Sequence, residues 1–180
     1  GRARGRGGGL TFEQEVEDIV KRGVEEDVKP DNIAMEVNGR KFAHDRTFGQ
    51  CAQVILISML RTMPVAAARK EAFACVQKLI KKWRALLGKF ARSIEDQKGC
   101  LVALEAFVLD ESWAKHKMMM PIAKTLYDQD IVEEEAVLGW ATEAEERGQK
   151  ALVKECKTLI DYLQQESEDD DEDDDEEEGD

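Results

Sequence analysis

Histidine is nearly missing from this chain of 180 residues, which has two of them, and proline (three) and tyrosine (two) are as scarce. His44 and His116 stand on separate segments, and Cys51, Cys75, Cys100 and Cys156 lie far apart without a C-x-x-C pair. Such spacing argues against a zinc centre and against a disulfide scaffold, so no metal site is expected and a reducing, cytoplasmic setting is. No apolar run reaches the roughly 18 residues of a membrane span and no secretory signal is visible, so no membrane partner is expected. Also lacking are a G-x-x-x-x-G-K-[ST] phosphate loop, an H-E-x-x-H helix and a Gly-rich strand-turn-helix fingerprint. No cofactor is therefore expected, and function should rest on binding rather than on covalent chemistry.

What remains is aliphatic and charged, a make-up that suits packed helices in one domain. The formal net charge of -13 is not spread evenly: residues 166–180 (ESEDDDEDDDEEEGD) hold 13 acids and no base, leaving 26 acids to balance 26 Lys and Arg. That acidic stretch has almost nothing apolar to bury and repels itself, so it reads as a disordered tail. Residues 1–9 (GRARGRGGG) read as a Gly/Arg-rich linker, with no direct nucleic-acid contact expected. The expected organisation is thus linker 1–9, helical body 10–165 and tail 166–180, in a chain that starts at Gly1 and reads as the last part of a longer polypeptide.

A helical period runs through most of the body. Phe12, Val16, Ile19, Val20 and Val24 form one apolar stripe on a helix that ends before Pro30. Asp31 is the expected N-cap of a second helix and Thr47 of a third, whose run CAQVILISML is apolar nearly all round. After Pro64 a helix buries Val65, Ala68, Ala72, Val76, Leu79 and Ile80 and turns Arg69, Lys70, Lys78, Lys81 and Lys82 outward. Further helices are expected near 83–93, 97–109, 118–127, 132–147 and 150–165. Eight or nine helices with short links predict antiparallel pairs stacked into a small array.

Within LYDQDIVEEEAVLGW, residues 126–140, five carboxylates precede an apolar stripe. Local rules explain part of this: Asp130 as an N-cap, Glu133 as the partner in a capping box, and acids at the positive end of the helix dipole. Val137, Trp140, Ala141 and Ala144 then form the buried face. Unexplained are Asp128 and the upstream block LVALEAFVLDESW with Glu105, Asp110 and Glu111, which could form a second acidic surface beside the first. Such surfaces attract lysine-rich segments in a salt-dependent way.

The blocks LYDQDIVEEEAVLGW, LVALEAFVLDE and DNIAMEVNGRKFA are together similar, in order and spacing, to the C-terminal catalytic domain of the epsilon subunit of translation initiation factor 2B. The likeness covers about residues 10–170. It implies an all-α, HEAT-repeat-like array of stacked antiparallel helix pairs that promotes guanine-nucleotide exchange on initiation factor 2 without covalent chemistry. It further implies that Glu105, Asp110, Glu111, Asp128, Asp130, Glu133, Glu134, Glu135 and Trp140 form acidic boxes for lysine blocks of that factor's beta subunit. Glu36, with Asn38 close by, falls where exchange on the GTP-binding gamma subunit is placed, and other subunits of the 2B complex are implied partners through domains upstream. Tyr162 stands where the family usually has a second tryptophan, and Ser167, followed by acids, is a phosphorylation candidate. Two alternatives compete: a non-catalytic scaffold module like the C-terminal domain of initiation factor five, and a generic acidic helical adaptor.

Overall fold

The structure, a computed structural model, describes residues 9–173, so the expected linker except Gly9, and residues 174–180 of the acidic stretch, lie outside it. Among the described residues there are nine α-helices, one short 3-10 turn (Ala114–His116) and no strand. In chain order the helices are α1 (Phe12–Glu25), α2 (Pro30–Ala43), α3 (Phe48–Arg61), α4 (Arg69–Phe90), α5 (Ile94–Leu109), α6 (Met119–Asp128), α7 (Glu134–Glu146), α8 (Lys150–Glu155) and α9 (Lys157–Asp173).

Three helices begin on capping boxes built within four residues. Thr11, Thr47 and Ser93 accept the backbone N–H of Gln14, Gln50 and Asp96, whose side chains accept in return from the cap backbone. Asp31 does not cap α2. Lys29 holds the N-cap position and Pro30 the first helical one, which leaves Asp31 in the first turn, where its charge still complements the dipole. The helix after Pro64 starts only at Arg69 and runs unbroken through Trp83 to Phe90, because nothing within it stops the hydrogen-bond ladder. Conversely, the helix expected over 150–165 is two, divided at Cys156, and α9 continues past 165 to Asp173.

Helix ends show a pattern of their own. Asp27 (φ 54°), Asp45 (φ 51°) and Asp130 (φ 58°) take the left-handed conformation just past α1, α2 and α6. In each case the next N–H reaches back to close the last turn: Val28 to Gly23, Arg46 to Lys41 and Ile131 to Leu126, all at 2.9 Å. Gly148 (φ 87°) does the same after α7, with Gln149 N–H donating to Ala144 at 2.8 Å.

Helices α1, α3, α5 and α7 pack side by side in succession, and α2, α4, α6 and α8 form a second row behind them, each with its preceding partner. Helix α9 closes the far end against α7 and α8. The fold is therefore an all-α, HEAT-repeat-like array with one continuous core, in which Phe12, Trp83, Phe90 and Trp140 are the largest buried side chains. Helix α6 borrows its cap from the next helix of its own row: the N–H groups of Met119 and Met120 donate to Glu155 Oε2 of α8 at 2.9 and 3.4 Å. The four cysteines are free, and burial pushes the thiols of Cys51 up to about 11 and of Cys100 and Cys156 up to about 12. The histidines serve structure: the His116 ring donates to the Ala66 carbonyl at 2.9 Å, and the His44 ring meets Glu15 at 2.7 Å.

Candidate partner-binding site

Asp130 ends α6 rather than starting α7, so α7 needs another cap. The N-cap residue is Glu133, without a side-chain cap of its own. Gln97, buried at the start of α5, supplies both bonds: its carbonyl accepts from Glu133 N–H at 2.8 Å and its amide donates to the Glu133 carboxylate at 3.0 Å. This reciprocal pair fixes where α7 begins and how its acids are presented. Replacing Gln97 by Ala is expected to cost about 1–2 kcal/mol, the range of a lost helix cap, measured by chemical denaturation.

Above that junction lies a groove of about 930 Å³. Its acids are Asp130, Glu133, Glu134 and Glu135, and among the described residues no basic side chain lines it. Tyr127 and Ser167 face it from α6 and α9. With carboxylates gathered at the positive end of α7 and no internal counter-ion in the lining, the groove suits a cation. Among the described residues no cluster of His, Cys, Asp or Glu has the makings of a metal site. No described helix is long and apolar enough to cross a membrane.

The other expected acids fall elsewhere. Gln97 meets the start of α7, while Glu105, two turns further along α5, meets Arg147 at the end of α7 at 2.9 Å, so the two helices run parallel. Glu105 is buried and held by Arg147, and it offers no surface to a partner. The Glu105 pairing pushes the Arg147 guanidinium up from its ordinary value. Asp110 and Glu111 are exposed, but at the far end of α5, roughly 20 Å from Gln97 at 1.5 Å per residue. The two acidic blocks are thus at opposite ends of a helix pair rather than beside each other.

Asp128 is exposed next to the groove and paired with Lys124 at 2.7 Å. Tyr162 does not enter the core: it is half exposed and donates to Glu166 at 2.6 Å, and Tyr127 donates to the same carboxylate at 3.2 Å. The Glu166 hydroxyl bond raises the Tyr162 phenol from its ordinary value, whereas burial is the main cause of the rise at Tyr127. Both rings line an apolar pocket of about 400 Å³ with Met120 and Leu159. Trp140 is fully buried and its Nε1 has no hydrogen-bond partner among the described residues, so it shapes the site from behind without touching it.

Glu36 lies at the other end of the array. It is exposed on α2, paired with Arg22 of α1, in a groove of about 480 Å³ rimmed by Leu10 and Met35. Asn38, two residues on, is half-buried. From α1, which lines this groove together with α2, the successive packings α1 on α3, α3 on α5 and α5 on α7 lead to the acidic groove. At 8–10 Å per helix contact this separates the two grooves by roughly 30 Å. Sequence reasoning missed Gln97, Arg147 and Arg22. A signal existed for Gln97 alone, a polar residue in step with Cys100, Leu101 and Leu104 on the buried face of α5.

Residues 96–173, from the first turn of α5 to the end of α9, match the W2 family, described as eIF4-gamma/eIF5/eIF2-epsilon. The matched part of the chain is a W2 domain. Over most of its length the chain is similar to eIF2B epsilon subunits: it is 34% identical over 162 residues to translation initiation factor eIF2B subunit epsilon of Dictyostelium discoideum, covering 86% of this chain and 23% of that protein. It is 26% identical over 156 residues to the subunit of the same name in Schizosaccharomyces pombe, covering 84% of this chain and 22% of that protein. The chain thus spans less than a quarter of the length of either relative.

Proposed function

We propose that this chain works in translation initiation as an exchange-promoting module that speeds GDP release from initiation factor 2. The observation that carries the reading is the base-free acidic groove at the start of α7, set in a chain similar over 86% of its length to eIF2B epsilon. In this reading Asp130, Glu133, Glu134 and Glu135, with Asp128 beside them, hold lysine blocks of the beta subunit. Asp110 and Glu111 hold a further stretch, which at about 3.4 Å per extended residue needs at least about six residues to bridge the gap. Glu36, with Asn38, acts on the gamma-subunit GTPase from the opposite end of the array. Association with other 2B subunits and a cytoplasmic setting belong to the same proposal, and phosphate on the groove-lining Ser167 would add negative charge at its rim.

Exchange breaks and makes no covalent bond. A partner that binds the nucleotide-free GTPase better than its GDP form shifts the population toward release. Two grooves roughly 30 Å apart suit that task, because one can tether the substrate while the other acts on it.

The test is GDP release from purified initiation factor 2. The chain should accelerate it, Glu36→Ala should slow the accelerated rate about tenfold with the helical fold intact by circular dichroism, and tethering through the acidic groove should weaken as salt rises. Unaltered GDP release with the wild-type chain overturns the proposal. Salt-sensitive binding of a lysine-rich peptide without any exchange would instead support a scaffold role, a second reading favoured by the presence of eIF4-gamma and eIF5 in the matched family description.

A further inference from the structure

We infer that Arg22 is an internal competitor for Glu36, occupying the carboxylate that the GTPase engages and so setting the affinity of exchange rather than its rate. The inference rests on the proposed role of Glu36.

The groove between α1 and α2 contains three carboxylates, Glu15, Asp18 and Glu36, and two guanidiniums, Arg22 and Arg40. They are not interchangeable. Glu15 is taken by the His44 ring at 2.7 Å, with Arg40 at 4.0 Å, whereas Glu36 is bonded by Arg22 through Nη2. The Arg22 and Glu36 side chains are 53% and 47% exposed, so water screens their attraction and the pair is easily exchanged in the free domain. The rim is apolar where a partner would land: Met35 is 71% exposed and Leu10 50%.

Docking onto that rim would exclude water and strengthen whatever charge contact remains inside. A desolvated carboxylate must keep a counter-ion, because an unpaired buried charge is costly. Two cations then contend for one carboxylate, Arg22 from α1 and a lysine or arginine of the GTPase. Space favours the newcomer, since Gly39, one turn beyond Met35 on α2, has no heavy atom within 4 Å of where a Cβ would stand. Arg22 sits on the exposed face of α1 and can swing back into water at little cost.

The experiment measures kcat and KM for GDP release from GDP-bound initiation factor 2. Arg22→Gln is expected to lower KM about threefold at low salt, the scale of one exposed ion pair, while leaving kcat within its error. Arg22→Lys, which keeps a competing cation, is expected to retain a KM near that of the wild type. In a Glu36→Gln background the gain from Arg22→Gln should vanish. A raised KM or a lowered kcat in Arg22→Gln overturns the inference, since Arg22 would then hold Glu36 in place for use. If Glu36→Gln alone leaves release unchanged, the assignment of Glu36 falls; if it abolishes the acceleration while Arg22→Gln leaves KM as it was, only the competition falls.

Discussion

Trp140→Ala is expected to lower the unfolding free energy by about 4 kcal/mol, the range for emptying a large aromatic site, as read from the denaturant midpoint. The side chain is fully buried in α7, between the acidic groove at one end of that helix and the Glu105–Arg147 pair at the other, so the void would open in the helix that carries the site. Trp140→Phe is a sharper probe. It removes volume, but it also removes an indole N–H that has no acceptor among the described residues, and leaving a buried donor unsatisfied costs about 1–3 kcal/mol. The two effects oppose each other, so the phenylalanine variant is expected to stay within about 1.5 kcal/mol of the parent. A Phe variant as unstable as the Ala variant would show that the site requires the whole indole and that removing its unpaired N–H brings no relief. Loss of lysine-peptide binding in the Ala variant would then be a consequence of unfolding rather than of a lost contact, which the Phe variant separates.

The second large effect comes from the Glu105–Arg147 pair, and it should be lopsided. The Glu105 side chain is 6% exposed and that of Arg147 42%. Removing the carboxylate leaves a guanidinium that can hydrate, whereas Arg147→Ala strands a charge in the core. Arg147→Ala is expected to cost about 3 kcal/mol, at the lower end for broken buried pairs because one partner is wet. Adding Glu105→Gln to Arg147→Ala should restore a good part of the loss, since the neutral amide needs no counter-ion. Equal losses in the single and double variants, measured by denaturation, would show that Arg147 acts through packing of its stem instead.

These residues also show what the sequence could and could not convey. Thr47 was readable as a cap because its partner Gln50 is three residues away, and both bonds follow from local geometry. Asp130 was not, because aspartate suits an N-cap and a left-handed helix end equally well. The choice was made by Gln97, 36 residues upstream of Glu133, which had already filled the cap of α7. Glu105 looked like its neighbours Asp110 and Glu111 until Arg147, 42 residues downstream, gave it a buried partner. The two-row architecture was legible from helical stripes and short links, since it depends on many residues rather than on one. Continuation of α9 past residue 165 was not, because counting charges ignores how Leu159 and Leu163 anchor the helix and how Glu166 ties it to Tyr127 and Tyr162. For Glu36 composition and period offered only an exposed acid; resemblance singled it out.

Arrays of helix pairs ordinarily fray from their ends, because each pair leans only on its neighbours. The borrowed caps change that here. If α8 lifts away, the Glu155 carboxylate leaves with it and the Met119 and Met120 amides at the start of α6 lose their acceptor. If α5 loosens at its first turn, Gln97 releases the start of α7 in the same motion. Opening in either row therefore spreads along that row to the next helix, so the second half of the molecule yields by coupled pairs rather than helix by helix, and the acidic groove is lost as soon as the first turn of α5 lets go.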